Sequence, residues 1–78
     1  MHLEIITPEK NIYKGEVSLI NLPGSDGSFG ILTNHAPIIS TLKQGTIKIV
    51  ELNNSEKTFE VKGGVIEMNN NKIIVLAE

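Results

Sequence analysis

Apolar residues recur along this chain in short bursts, and turn-forming residues cut each burst off. Residues 3–7 read as a first strand, stopped by Pro8. Ile12 and Tyr13 form a short second run. In residues 16–22, Val17 and Leu19 share one parity and Ile20 and Leu22 the other. Such a segment is either covered on both faces or swaps faces at a twist. Residues 28–32 and 38–42 flank a turn that contains His35. Residues 46–52 make a longer strand and 53–56 a hairpin turn. Residues 57–63 alternate cleanly, with Phe59 and Val61 on one side and Thr58, Glu60 and Lys62 on the other. Gly63-Gly64 reads as a bulge or a place where another backbone comes close. Residues 65–69, the turn 69–71 and a last strand over 72–77 complete the chain.

No segment carries a sustained helical stripe, and Ile and Val dominate the apolar set, as suits a pleated surface. About ten short runs with turns between them predict an all-β fold: a flattened two-sheet β-sandwich over residues 1–78 as one domain. Two packed sheets can bury this many branched side chains, whereas one exposed layer cannot.

Composition removes several function classes. The chain has 78 residues and no cysteine, so disulfides and thiolate metal sites are excluded. Its net charge is −2 and its seven basic residues are all lysines, scattered along the sequence, which argues against a nucleic-acid partner. No apolar run approaches the roughly 18 residues of a membrane span, and the opening residues lack the pattern of a signal peptide. Contact with a membrane system is expected from the water side.

Candidate chemistry is sparse. His35 lies two residues before Pro37, where the chain is extended or turning. As a catalytic base it lacks an evident nucleophile and orienting acid. A turn histidine that bonds backbone or touches a partner is the better reading. Gly24, Gly27 and Gly30 have the wrong spacing for a phosphate loop, and no helix follows them; turn geometry with positive φ accounts for them. The acidic residues fall at strand parity, as a solvated face and edge protection. Catalytic, metal and cofactor residues are therefore expected to be none. The dense stretch Phe29-Gly30-Ile31-Leu32, followed by Ala36-Pro37-Ile38-Ile39, is either core or docking surface.

That stretch also carries a resemblance. "TPEK", "GEV", "PGSDGSFGIL", "HAPIIS", "L..G.I.I", "F.V.GG..E" and "N.KIIVLAE" follow in the order and spacing of the epsilon subunit of F-type ATP synthases, from Met1 to Glu78. The resemblance implies a non-catalytic two-sheet sandwich of about ten strands at the foot of the central stalk. Such a subunit grips gamma, rests on the c-ring and turns with both, coupling them during ATP synthesis driven by protons or sodium ions. It further implies a peripheral position on the cytoplasmic side of a bacterial inner membrane, held there only through the complex.

Matching motifs place the c-ring contact loop at Gly24, Asp26, Gly27, Ser28, Phe29 and Gly30, with Asp26, Ser28 and Phe29 at its tip. They place the gamma contact at Thr7, His35, Ala36, Pro37, Ile38 and Ser40, with Ile39 among them. Ser28 stands where relatives often carry a carboxylate, Thr33 where proline is usual and Val65 where phenylalanine is common. Many relatives continue into two C-terminal helices that brake hydrolysis. The sequence stops before them, so neither self-inhibition nor ATP sensing is expected of it. From the residues alone, a small ligand-binding β-module and a hydrolase built on His35 are the competing classes; motif order speaks against the first and the missing triad against the second.

Overall fold

A computed structural model describes all 78 residues and resolves them into eight strands. They are β1 (His2–Ile6), β2 (Asn11–Leu22), β3 (Phe29–Leu32), β4 (Ile38–Leu42), β5 (Gly45–Glu51), β6 (Glu56–Val61), β7 (Gly64–Asn69) and β8 (Lys72–Ala77). The fold is all-β, as expected, but eight strands replace the expected ten or so. The main reason lies in β2, where the runs around Ile12 and Val17 are one strand of 12 residues. Gly15 between them stays extended and pairs across to Leu3, so it does not interrupt the ladder.

The strand order is β4-β7-β8-β1-β2-β5-β6, with β3 added to β2. β2 belongs to two sheets. Its first half pairs antiparallel with β1, and its second half pairs with β3 and β5. The first sheet is therefore β4-β7-β8-β1 plus the start of β2; the second is β3, the end of β2, β5 and β6. All pairings are antiparallel except β1 with β8, which run parallel from His2↔Lys72 to Ile6↔Leu76.

β2 bends where its register slips between Val17 and Leu19. A bulge adds one residue to one strand and strengthens the local twist. It also resets which parity faces inward. Val17, Ile20 and Leu22 are buried, while Leu19 turns outward. The double-sided greasiness of this segment is thus a face swap. The buried set is one cluster of 16 residues drawn from both sheets, including Leu3, Ile5, Ile66, Met68, Ile73 and Val75 from the first and Ile20, Ile31, Ile47 and Ile49 from the second. Full burial of such side chains contributes about 1.5–3 kcal/mol each. Across the bend, Tyr13 donates a 2.6 Å hydrogen bond to Glu51 at the end of β5, while its ring tilts against Phe59. Burial, and then the bond to Glu51, pushes the Tyr13 phenol up to about 12. The same bond, with Lys57 beside it, holds Glu51 below the usual carboxylate range.

β6 is an outer edge strand, paired only with β5. Most of its exposed positions are charged: Glu56 pairs with Lys48 at 3.1 Å, and Glu60 accepts from Thr46. Charges along an edge discourage pairing with a further strand. The double glycine behaves as a close approach. Gly64 has φ +149°, and a Cβ there would collide with the Leu76 carbonyl of β8. Gly63 and Lys62 exchange backbone hydrogen bonds with Glu78, which seats the β6–β7 connection against the end of β8.

Gly64→Ala combines an unfavourable φ with a backbone clash, so it is expected to destabilise the fold by about 3 kcal/mol. Gly27→Ala, at φ +130° with open space around it, is expected to cost only about 1 kcal/mol. Urea unfolding of the two variants checks the order.

Candidate functional site

The loop joining β2 to β3 spans residues 23–28 and is fastened at its base. Pro23 and Gly24 are buried, and Gly24 forms a β-bridge with Leu42 at the end of β4. The Ser25 amide donates to the Thr41 carbonyl at 3.0 Å, and the Lys43 amide donates to Pro23 at 2.8 Å. The Thr41 hydroxyl donates to the Ser25 hydroxyl. These bonds close one side of the sandwich and leave a short exposed tip of Ser25, Asp26, Gly27 and Ser28.

Two sequence expectations are corrected here. Phe29 is not at the tip: it is half-buried, packs against the core and lies over Gly24. A Cβ on Gly24 would sit 2.7 Å from that ring, and one on Gly30 would sit 2.7 Å from the Asn21 amide oxygen. Only Gly27 of the three has positive φ. The other two are small because neighbours crowd them.

The residues matched to a gamma contact are spread over the first sheet. Pairing aligns Thr41, Val65, Leu76 and Ile6 in one row across it, and Ile39, Glu67, Ile74 and Glu4 in another. Thr7 follows β1 beyond the first of these rows, where its hydroxyl donates to the Lys10 carbonyl. His35 precedes β4 at the opposite end. With neighbouring strands about 4.8 Å apart, β4 and β1 are separated by about 14 Å. Thr7 and His35 therefore do not cluster; they bracket the sheet diagonally. Ala36 and Pro37 are exposed, Ile38 leans on the core and Ser40 is half-buried at the sheet edge.

Between these brackets lies what the motifs did not mark. Leu76 (55 % exposed) and Val65 (40 %) face solvent beside the motif-matched Ile39 (74 %), with Ile6 and Ile74 half-buried between them. Ile6, Val65, Ile74, Leu76 and Glu67 line one concavity on this outer face. Apolar residues at both parities of 72–77 were the available signal, since only one parity of a strand can enter a single core.

The His35 turn is braced from outside its own hairpin. Asn34 has φ +67°, and its amide donates to the Asn71 side-chain oxygen at 2.7 Å. The Asn71 side-chain nitrogen donates back to Asn34 at 2.6 Å. Asn70 and Asn71, in the β7–β8 turn, also have positive φ, which asparagine tolerates better than most residues. The His35 ring donates from Nδ1 to the Ala36 carbonyl at 2.7 Å, so the backbone-bonding reading of this histidine describes its geometry.

Fold and surface together define an all-β module whose distinctive chemistry lies on its outside: a braced loop tip at one corner and an apolar sheet face beside it. The sequence matches, over residues 1–78, the family described as ATP synthase, Delta/Epsilon chain, beta-sandwich domain, and the chain belongs to that family. It is 41% identical over 76 residues to the ATP synthase epsilon chain of Chlorobium limicola, covering 97% of this chain and 86% of the relative. It is 40% identical over 78 residues to that of Campylobacter curvus, where it spans all of this chain but 60% of the relative. Among solved structures, a chain of the Euglena gracilis mitochondrial ATP synthase superposes with TM-score 0.90 at 19% identity, covering 96% of this chain and 48% of that one. A chain of the Tetrahymena thermophila enzyme does so with TM-score 0.81 at 22% identity, covering 99% and 62%. At these identities the likeness establishes the fold.

Asn71→Gly keeps the backbone free to hold positive φ but removes both bonds to Asn34. It is expected to cost about 1–2 kcal/mol and to speed amide exchange at Asn34 and His35 while leaving β5 and β6 protected. Exchange measured by NMR checks this.

Proposed function

We propose that residues 1–78 act as one epsilon-type module, a non-catalytic coupling subunit in the central stalk of a bacterial F-type ATP synthase. It joins gamma to the c-ring and turns with them during ATP synthesis. The observation that carries this reading is the family match along the whole chain. The bacterial relatives bear the name epsilon chain, and the chains of like fold come from assemblies described by their c-ring, one of them also by its central stalk. Membrane association follows through the complex, from the cytoplasmic side.

The two surfaces take the two partners. The outer face of the first sheet, from Thr7 through Leu76 and Val65 to Ile39 and His35, lies against gamma. Its apolar centre supplies burial worth about 25 cal/mol per Å², and its polar corners fix orientation. The tip of Asp26, Gly27 and Ser28 reaches the c-ring. Because the base of this loop is hydrogen-bonded to β4, load on the tip passes directly into the first sheet. A rotor part needs this stiffness, since a limp connection would absorb rotation.

Addition of this protein to an ATP synthase depleted of epsilon is expected to restore ion pumping coupled to hydrolysis; coupling that stays at the depleted level overturns the proposal. In binding to purified gamma, Leu76→Glu and His35→Glu each place an unpartnered carboxylate in the contact and are expected to weaken it about tenfold or more. Lys48→Glu, on the second sheet, is expected to leave affinity unchanged.

A further inference from the structure

The outward side chains at the start of β1 and β2 differ from the apolar centre of the same face, because most of them are charged or titratable. His2 stands among them. Its Nδ1 lies 2.8 Å from the Glu16 carboxylate on β2, and its Nε2 lies 2.9 Å from the Glu4 carboxylate two residues along β1. The carboxylates bind different nitrogens of one ring, an arrangement that does not gather them around a metal ion. Lys72 of β8 is the cross-strand neighbour of His2, and Lys14 of β2 is that of Glu4. The Met1 ammonium is engaged elsewhere, donating to the Val17 carbonyl at 3.0 Å.

A carboxylate at neutral pH only accepts hydrogen bonds, and a neutral imidazole has a single N–H. Both contacts are satisfied together only when both ring nitrogens carry protons. We propose that His2 is a pH-operated fastener between β1 and β2: as imidazolium it ties Glu4 to Glu16 across the two strands, and loss of one proton releases one of the two ties.

The electrostatics agree with this geometry. The hydrogen bonds to Glu4 and then Glu16 raise the basicity of His2 above its ordinary value of 6.5, against a smaller opposing effect of burial. The bond to His2, aided by Lys14 and Lys72, holds Glu4 below its ordinary 4.5. For a group whose affinity for protons rises on folding, the stabilisation is complete below the unfolded value and fades as pH climbs through the folded one. For Glu4 the sense is opposite: stabilisation is complete above 4.5 and fades as pH falls through its lowered folded value. The stabilisation from the His2–Glu4 pair is thus complete between the two ordinary values, 4.5 and 6.5, and is lost on the alkaline side as pH climbs through the raised His2 value. The Glu16 side chain is 54% exposed and the Glu4 side chain 20%, so the cross-strand tie to Glu16 is the weaker of the two.

Ring-nitrogen NMR of the chain from roughly pH 5 to pH 9 tests this. The His2 midpoint is expected above 6.5 and is expected to shift down in Glu4→Gln/Glu16→Gln. The urea midpoint of the unaltered protein is expected to fall over the same alkaline range, to fall equally in His35→Asn and to fall less in His2→Asn. An equal His2 midpoint with and without the carboxylates overturns the proposal. So does an alkaline decline that is undiminished in His2→Asn or vanishes in His35→Asn. If His2→Asn fails to fold, the ring titration alone decides.

Discussion

A strand that serves two sheets must change which of its faces points inward, and β2 makes that change within three residues. Without the slip between Val17 and Leu19, a strand whose second half buries Ile20 and Leu22 would turn Val17 outward. A mismatch of that kind exposes every apolar side chain on one half of a strand, because the side-chain period in β structure is two. The bulge aligns both halves with one core. β1 is held by the first half of β2, and β3 and β5 by the second, so both sheets are positioned from this bend. Tyr13, Glu51 and Phe59 cross it from one side and brace the angle between the layers.

The strands themselves were legible in the alternation of apolar and polar residues, most clearly in residues 57–61. Partial failures came where one residue serves two purposes. Gly15 reads as a break because glycine usually marks one; only its pairing to Leu3 reveals a continuous strand. Gly24 and Gly30 read as turn residues with positive φ because their crowding neighbours, Phe29 and Asn21 among them, are invisible to a local reading. Residues 72–77 are apolar at nearly every position, so parity could not say which of Ile73 and Ile74 enters the core. Register with β1 and β7 decides it. The Asn34–Asn71 brace spans 37 positions in sequence and leaves no local trace.

The family motifs marked the ends of the candidate gamma surface but not its centre. Thr7 and His35 are small or polar residues with turn-like surroundings, which stand out in a sequence. Val65 and Leu76 look like ordinary strand residues; the apolar run over 72–77 signals an outward set, and only the sheet shows which residues belong to it. A module of this size buries a smaller fraction of its surface than a larger domain does, so apolar area left outside a closed core is a substantial share of what it could have used for its own stability. The proposed partner surface and the braced corner meet along β4, whose two ends carry the His35 turn and the bridge to Gly24.

The parallel pairing of β1 with β8 has a consequence for how the chain is made. Of the eight strands, the first to leave the ribosome needs, on one side, the strand that emerges about seventy residues later. Until residue 77 is free, β1 can lean only on β2, and the first sheet stays open along its middle. Pairings of such long range are slow because the loop must close before any contact rewards it. Assembly of this sheet is therefore completed only after its final strand has been translated, and for that interval the unfinished middle is a place where a chaperone, or another nascent chain, can take hold.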